Sequence, residues 1–523
     1  MDEDLTAGMT LEEQIGQLFV VGFPDQTPIP ELLDLIQREH GGGVILFSRN
    51  VKDQAQTATL THKLQSAARA AGHPAPLLVM IDQENGLVRR LGSDSTPFPG
   101  AMALGAIEDA ETRERIVEGV ARATAKELLA HGVNMNLAPV MDVNNAPGNP
   151  VIGVRSFGFD PEVVGQLGVA TMRGLQGAGV IATLKHFPGH GDTTVDSHLA
   201  LPVVTAPPER LEAVELAPFR QGIAAGAACV MTAHVAFPAL TGDATIPTTL
   251  APEALTDLLR ERLGFAGVIM SDCLEMDAIA GTVGVEGGAV QTLRAGADLV
   301  LISHTLERQR AASAAVRAAV AEGALSEKQV RCAAERVLRL KRRFLTWSDT
   351  PPAPLDADLL RAHQDLSVSA YRRSVKVIRD SDSLLPLRLR PDQELLILDC
   401  PPHAITAAVD IPYRSSWLID AVRRYHDQVR ALVLTPASEA LQDALQAARA
   451  ADIILLTSVD AFRDTELLEV MRRVALVGRP VIGLALGLPY DAASLLEIGS
   501  YLATYDYSQP AQAAAASVLF GDG

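Results

Sequence analysis

Short apolar runs rich in Val, Ile and Leu alternate with amphipathic stretches of helical period along the N-terminal part of the chain. Such runs are typical of strands buried on both faces, as in a parallel sheet. Eight runs are predicted strands, at 18–22, 43–47, 77–81, 135–143, 181–184, 229–233, 267–270 and 298–302. Stretches between them are predicted helices, at 36–40, 53–71, 109–131, 161–175, 208–225, 252–263 and 286–295. This alternation favours a closed (β/α)8 barrel over an open sheet.

A second unit follows a proline-rich break. Predicted helices at 306–322 and 326–345 end the first unit, and Pro351, Pro352 and Pro354 then remove amide donors and stiffen the chain, as in a linker. Further strands are predicted at 395–398, 429–434, 453–457 and 481–486, separated by helices at 417–426, 440–450, 465–477 and 511–519. We therefore predict a barrel domain at 1–347, a linker at 348–356 and a smaller α/β sandwich domain at 357–523.

The balance of charges excludes some classes of partner. The 523 residues include 45 Lys plus Arg against 63 Asp plus Glu, a net charge of −18 at pH 7. An acidic protein repels phosphate backbones and anionic lipid, so we expect neither nucleic acid nor a membrane as a partner. The acidic start at Asp2, Glu3 and Asp4, with no apolar run directly behind it, favours a cytoplasmic location.

The cysteines give no sign of a metal or a disulfide. Cys229, Cys273, Cys332 and Cys400 stand far apart and match no paired or metal-ligand spacing. No glycine-rich nucleotide fingerprint follows a predicted strand. We therefore expect neither a cofactor nor a metal.

Charged and imidazole side chains collect where the predicted barrel strands end. In such a barrel the loops that follow the strands meet above a rigid floor, so these residues are the candidates for function. They are Asp82, Glu84, Arg90, Asp142, Arg155, Lys185, His186, His190, Asp196, His198, His234 and Asp272. Carboxylates, cations and imidazoles together indicate acid–base or nucleophilic chemistry on a polar, neutral substrate.

Asp196 and His198 are two residues apart in a predicted loop. A carboxylate at this spacing can fold back and accept one ring N–H, which leaves the other ring nitrogen for proton transfer. Asp272, at the end of another strand, supplies a separate carboxylate. Glycosidases divide labour in this way, because one group protonates the leaving oxygen while another meets the oxocarbenium-like centre.

Three long motifs lie on different predicted strands. They run from Lys185 to Gly191 with Asp196-Ser197-His198 behind them, from Asn136 through Asp142 to Gly158, and from Ser271 to Met276. In this order and spacing they resemble the signatures of glycoside hydrolase family 3 β-N-acetylglucosaminidases. The resemblance covers the barrel and continues more faintly into the second domain, at 383–387 and 501–508.

The resemblance implies a retaining hydrolase of terminal β-linked N-acetylglucosamine, with a role in cell-wall (muropeptide) recycling. Asp272 would attack the anomeric carbon and form a covalent glycosyl-enzyme. His198 would protonate the leaving oxygen and later deprotonate water, with Asp196 orienting the ring. The residues that the resemblance implies as ligands of the sugar hydroxyls are Asp82, Arg90, Arg155, Lys185 and His186.

The chain departs from the family pattern at two positions after strand three. The family usually reads D-Q-E-G-G-R-V-Q-R, whereas this chain has Asn85 for the first Gly and Leu87 for the Arg. Asp82 and Arg90 are kept. The departure at Leu87 leaves open how this loop is supported.

Other readings of the same residues stay open. His190, Glu275 and Cys273 are interpreted as structural, whereas His234 and Asp142 either contact substrate or support a strand end. The same site could use phosphate in place of water, since a neutral histidine repels an anionic acceptor less than a carboxylate does. The chain could also be a catalytically silent sugar-binding protein. A structural or regulatory role is expected for the second domain.

Overall fold

A computed structural model describes residues 4–197, 199–402 and 409–522, and it contains a closed barrel of eight parallel strands. His198, the predicted acid/base residue, lies outside the described residues. The barrel strands are β1 (Phe19–Val21), β2 (Gly43–Leu46), β3 (Leu78–Ile81), β4 (Met135–Asn136), β5 (Ile181–Phe187), β6 (Cys229–Thr232), β7 (Val268–Cys273) and β8 (Leu299–Ile302). Each strand pairs with its neighbours in sequence, and β1 closes on β8 with Phe19 opposite Val300. The predicted (β/α)8 barrel is therefore confirmed.

Helices cover the outside of the barrel. They are Leu11–Gly16, Pro30–Arg38, Gln54–Ala70, Ala101–Gly105, Ala110–Ala130, Pro161–Gly177, Pro208–Ala213, Leu216–Ala224, Pro238–Thr241, the π-helix Glu253–Arg262, Asp277–Ala280, Gly284–Ala295, Leu306–Ala321 and Glu327–Phe344, with 3₁₀ turns at Ser48–Asn50, Gly153–Arg155 and Thr248–Leu250. Asp53 and Asp109 begin two of them, because each side chain accepts a free amide N–H of the first turn. Among the described residues, no helix is long and apolar enough to cross a membrane.

One predicted helix is interrupted. The stretch at 208–225 forms two helices, Pro208–Ala213 and Leu216–Ala224. Pro218 lies in the first turn of the second helix, and its ring would clash with the carbonyl four residues earlier in a continuous helix. The prediction of a single helix was therefore wrong.

The fourth strand is shorter than predicted. It ends at Asn136, although the apolar run continues to Val143. Pro139 has no amide hydrogen to donate, which interrupts the regular ladder, and an isolated bridge joins Val140 to Lys185 farther along. Asp142 consequently lies in a loop, not on the strand.

The inside of the barrel is a packed apolar core. Its side chains come from every strand, and they include Val20, Ile45, Met80, Met135, Ile181, Met231, Met270 and Leu299. Such a filled interior holds the strand ends in place. The candidate residues therefore stand on a rigid floor.

A second, six-stranded sheet follows in the chain. Its strands are β9 (Lys376–Asp380), β10 (Leu395–Cys400), β11 (Val429–Val433), β12 (Ile453–Ser458), β13 (Val481–Ala485) and β14 (Ser500–Ala503), in the order β9-β14-β13-β12-β10-β11. Its helices are Ala357–Ser374, Ser416–Val422, Ser438–Ala450, Thr465–Ala475, Tyr490–Ser494 and Gln509–Phe520, with a 3₁₀ turn at Ala461–Arg463. The predicted α/β fold of this part is confirmed.

Two of the six strands were not predicted. β9 is an edge strand whose apolar pair, Val377 and Ile378, is flanked by Lys376, Arg379 and Asp380, and it pairs antiparallel with β14. Charged residues are usual on exposed edges because they discourage further pairing. The prediction depended on continuous apolar runs, and the charged residues leave this strand with only two adjacent apolar residues.

Helix Ala357–Ser374 joins the two parts of the molecule. His363 Nδ1 lies 2.9 Å from Glu127 Oε1 of a barrel helix, and both side chains are buried. On the other side Tyr371 packs with Ala511 and Ala514 of the last helix. The division at 347 and 357 stays a proposal, since this helix is buried against both parts.

Candidate active site

A cavity of about 380 Å³ opens at the C-terminal ends of the barrel strands. Its lining includes six of the predicted site residues, namely Asp82, Arg90, Arg155, Lys185, His186 and Asp272. These residues are far apart in sequence and meet because the ends of parallel barrel strands converge. The tertiary structure thus brings together most of the predicted set, while their individual roles stay proposals.

Lys185, near the end of β5, lies between two carboxylates. Its Nζ is 2.7 Å from Asp82 Oδ1 and 2.7 Å from Glu84 Oε1. Burial alone would lower the pKa of Lys185, but the two carboxylates outweigh burial and raise the pKa above its ordinary value. Lys185 is therefore a permanent cation at the floor of the cavity.

Glu84 also binds Arg155 through both carboxylate oxygens. Arg155 Nε lies 2.9 Å from Oε2 and Nη2 lies 2.8 Å from Oε1. Burial would raise the pKa of Glu84, but Arg155 and Lys185 hold it well below its ordinary range. Glu84 thus connects two predicted sugar ligands, Arg155 and Lys185. In the sequence, only its position two residues after Asp82 indicated that it belongs to the site.

Asp142 holds the ring of His186 from below. Its side chain is fully buried, and Oδ2 lies 2.7 Å from His186 Nδ1 while Oδ1 accepts the backbone N–H of His190 at 2.7 Å. Burial would raise the pKa of Asp142, but His186 and the N–H donors keep it below its ordinary value. With Asp142 ionised, His186 Nδ1 carries the proton, so Asp142 orients His186 as a supporting residue beneath the cavity.

Asp272 is the penultimate residue of β7 and lines the cavity. Its Oδ1 accepts the backbone N–H of Cys273 at 2.7 Å, which orients the carboxylate. The buried His234 ring lies with Nε2 2.9 Å from the Cys273 carbonyl oxygen and Nδ1 2.8 Å from Thr249 Oγ1. His234, two residues past the end of the neighbouring strand β6, therefore supports the end of β7.

The loop after β5 carries the predicted acid/base pair. Asp196 is half-buried, and its carbonyl accepts the N–H of Leu199 at 2.9 Å. His190 fastens the loop, since Nδ1 lies 2.9 Å from Thr193 Oγ1 and Nε2 lies 3.0 Å from Ser197 Oγ. Burial lowers the pKa of His190 to about 4, so this ring is neutral near pH 7. The pairing of Asp196 with His198 falls outside the described residues.

Within the described parts of the chain, one group of side chains could hold a metal ion. The Cys273 thiol, the Glu275 carboxylate and the His304 imidazole offer ligand atoms within 4.8 Å of one another. Glu275 already accepts the backbone N–H groups of His304, at 2.6 Å, and of Thr305, at 3.1 Å. Burial raises the pKa of Cys273 to about 11, so its thiol is protonated. These contacts give Glu275 the loop-supporting role that its position suggested.

The departures at Asn85 and Leu87 have a structural explanation. Asn85 has a φ of 71°, a left-handed conformation that Gly adopts freely and Asn tolerates. Gly86 also has a positive φ, and a side chain there would meet Gly100 at 2.7 Å. Leu87 is buried among second-domain residues such as Leu395 and Tyr507. An apolar contact between domains thus stands where the family pattern has an arginine.

Comparisons with known proteins agree with this geometry. The model of the glycosyl hydrolase family 3 N-terminal domain matches residues 10–340. The beta-hexosaminidase A of Pseudoalteromonas piscicida is 36% identical over 377 residues, which are 69% of this chain and 62% of that protein. A beta-hexosaminidase of Xylella fastidiosa strain M12 is 38% identical over 291 residues, covering 55% of this chain and 83% of the relative.

Among solved structures, a glycoside hydrolase family 3 beta-N-acetylglucosaminidase from Paenibacillus sp. strain FPU-7 superimposes with a TM-score of 0.89 at 37% identity. The match covers 98% of this chain and 97% of that one, so it includes both domains. The chain spans less than two thirds of the Pseudoalteromonas protein but nearly all of the Paenibacillus structure.

Proposed function

Because the chain belongs to glycosyl hydrolase family 3, we propose that it is a retaining exo-β-N-acetylglucosaminidase, which releases terminal β-linked N-acetylglucosamine by hydrolysis. The observation that carries this proposal is that Asp272 shares one cavity with Lys185, Arg155 and Asp82. A carboxylate beside a dense set of charged hydrogen-bonding groups suits nucleophilic attack on a bound, neutral sugar.

Asp272 is the proposed nucleophile. Its carboxylate attacks the anomeric carbon, the bond to the leaving oxygen breaks, and a glycosyl-enzyme forms. The N–H of Cys273, 2.7 Å from Oδ1, supports this role because it fixes the carboxylate in one orientation. Water then attacks the anomeric carbon and breaks its bond to the Asp272 oxygen, which restores the carboxylate; the two successive inversions retain the configuration at the anomeric carbon.

His198 is the proposed acid/base residue, with Asp196 as its partner. His198 gives its proton to the leaving oxygen in the first step and takes a proton from water in the second. The contacts of His190 with Thr193 and Ser197 favour this assignment, since they hold the loop on both sides of Asp196 next to the cavity. An unperturbed histidine suits both directions of transfer near neutral pH.

Lys185, Asp82, Arg155, His186 and Arg90 are the proposed ligands of the sugar hydroxyls. Ion pairs of Lys185 with Asp82 and of Arg155 with Glu84 fix these side chains before substrate arrives, so little ordering is needed on binding. The charged donors and acceptors form stronger hydrogen bonds to a neutral polyol than uncharged groups would.

The direct test follows hydrolysis of an aryl β-N-acetylglucosaminide by proton NMR, with and without phosphate. Initial release of the β-anomer is expected, and Asp272→Ala should lower kcat/KM by more than about 10³-fold. Asp277→Ala, an exposed aspartate at the start of the following helix, is the matched control and should retain activity. Sugar 1-phosphate that forms only with phosphate would instead identify a phosphorylase. Binding without turnover would identify a silent sugar-binding protein.

His198 can be tested separately from the nucleophile. His198→Ala should lose little activity in the first step on a dinitrophenyl glycoside, whose leaving group needs no proton, and more on a poor leaving group. Azide should accelerate the second step in this variant and yield the β-glycosyl azide. Equal losses on both substrates would contradict the assignment.

A cytoplasmic location and a muropeptide substrate are the finer parts of the proposal. Both rest on the resemblance to family 3 β-N-acetylglucosaminidases. Release of N-acetylglucosamine from a disaccharide peptide with an anhydromuramyl end, at a kcat/KM above that for chitobiose, would support the substrate. A preference for chitobiose would contradict it.

A further inference from the structure

Asp410 belongs to the second part of the chain, yet it lines the cavity of the barrel. It stands between β10 and helix Ser416–Val422 of the six-stranded sheet. Its side chain is 18% exposed and faces the same space as Asp82 and Asp272. The C-terminal domain therefore contributes a carboxylate to a site whose other described lining residues belong to the barrel.

Three barrel residues hold this carboxylate. Ser48 Oγ donates to Oδ1 at 2.7 Å, and the backbone N–H of Arg89 donates to Oδ2 at 3.1 Å. Arg90, a proposed sugar ligand, forms an ion pair with Oδ2. A carboxylate has about four acceptor positions, so these contacts orient Asp410 and leave it capacity for another donor.

The backbone around Asp410 is fastened as well. Its N–H donates to the carbonyl of Leu87 at 3.0 Å, and Leu87 itself is buried in the apolar core of the second sheet. Gln83–Asn85 and Val88–Arg89 form a two-stranded hairpin that Arg90 directly follows. This hairpin and the segment that carries Asp410 thus form one unit across the domain boundary. Such support on both sides fixes a side chain well enough for binding.

We propose that Asp410 is a substrate-binding residue that, together with Arg90, binds a hydroxyl group of the terminal sugar. A sugar hydroxyl is both donor and acceptor, so a carboxylate that accepts its O–H and a guanidinium that donates to its oxygen use both functions. The second domain then completes the pocket for the terminal sugar, in addition to its structural role. This inference rests on the proposed function, since it concerns the same site.

The experiment measures kcat and KM of the full chain for aryl β-N-acetylglucosaminides, with Asp410→Asn and Asp410→Ala. Both variants should lower kcat/KM by about 10- to 100-fold, as expected for loss of a charge-assisted hydrogen bond. Glu108→Gln is the matched control, because Glu108 forms an exposed ion pair with Lys376 across the same boundary, away from the cavity. This control should retain the kcat/KM of the wild type.

Substrates lacking one hydroxyl separate binding from mere support. The 3-, 4- and 6-deoxy glycosides are compared with wild type and Asp410→Asn in a double-mutant cycle. For one deoxy glycoside, kcat/KM of the wild type should fall as far as kcat/KM of Asp410→Asn falls on the complete sugar. Asp410→Asn should then show little further decrease in kcat/KM on that deoxy glycoside. If Asp410→Ala fails to fold, Asp410→Asn and Ser48→Ala carry the same test.

The outcomes are distinguishable. The role of Asp410 would be overturned if Asp410→Asn lowered kcat/KM by the same factor on every deoxy glycoside and on the complete sugar. It would also be overturned if Asp410→Asn had the kcat/KM of the wild type on the complete sugar. No turnover of any aryl β-N-acetylglucosaminide by the wild type would instead overturn the proposed function.

Discussion

Lys185 Nζ lies 2.7 Å from Glu84 Oε1, and both side chains are almost completely buried at the floor of the cavity. Neither charge could be buried alone without a large cost in desolvation. The pair is therefore the electrostatic centre of the site.

Glu84→Gln should reduce both stability and activity. It leaves the guanidinium of Arg155 without its carboxylate and removes one of the two carboxylates of Lys185, so the free energy of unfolding should fall by about 3–5 kcal/mol at pH 7. Burial opposes the ionised form of Glu84, but the two cations keep its pKa well below the ordinary 4.5. Its stabilising contribution is thus complete above about pH 4.5 and is lost as the pH falls further.

Urea unfolding between pH 3 and pH 7 tests this, with Glu111→Gln as an exposed control. The wild type should lose stability with acid more steeply than Glu84→Gln. Parallel pH profiles for the two proteins would contradict the prediction.

Asp142→Asn should reverse the tautomer of His186. Asp142 now accepts from His186 Nδ1 and from the N–H of His190. An Asn keeps its carbonyl oxygen on the backbone N–H, so its NH₂ group faces Nδ1 and moves the ring proton to Nε2. We expect kcat/KM to fall by about 10- to 100-fold with little loss of stability. Steady-state kinetics and ¹⁵N NMR of His186 measure both effects, and an unchanged tautomer would refute the mechanism.

Lys341→Met should change how stability depends on pH. Lys341 is fully buried beneath the barrel, where its Nζ donates to Gln17 Oε1 at 2.7 Å, and burial lowers its pKa to about 7. Between pH 7 and the unfolded value of 10.5 the unfolded chain holds a proton that the folded chain does not, so wild-type stability rises with pH. Each pKa unit corresponds to about 1.4 kcal/mol.

The variant lacks this titrating amine, so its free energy of unfolding should depend less on pH between pH 7 and pH 10 than that of the wild type. At pH 6 the variant should be more stable than the wild type. Chemical unfolding at several pH values measures these free energies. Lys328→Met, exposed on the same helix, is the control and should follow the wild type.

Leu87→Ala should weaken the contact between the two domains. Leu87 is 8% exposed and packs in the core of the second sheet, so truncation should cost about 2–5 kcal/mol. Asn85→Gly, at a φ of 71°, restores the residue of the family pattern and should change stability by less than about 1 kcal/mol. Calorimetry of both variants distinguishes them. A larger loss for Asn85→Gly than for Leu87→Ala would contradict this account.

The sequence by itself determined the order of elements in the barrel and the family. Buried parallel strands are continuous apolar runs, so β1 to β3 and β6 to β8 were located to within three residues at each end. The motifs around Lys185 and Asp272 are local strings, and the family that they indicated is confirmed by the match over residues 10–340. Six of the predicted site residues line one cavity because strand ends of a barrel meet.

Only the tertiary structure decided which residues from distant parts of the chain meet. Glu84 beneath Lys185, Asp142 beneath His186 and Asp410 beside Arg90 join positions separated by 44 to 320 residues, and no local pattern records such pairs. β9 was also not predicted, because its charged sequence carries no apolar run and its strand conformation depends on pairing with β14. Local periodicity selects the elements, whereas the contacts that set charge, tautomer and pocket shape exist only once the chain has closed on itself.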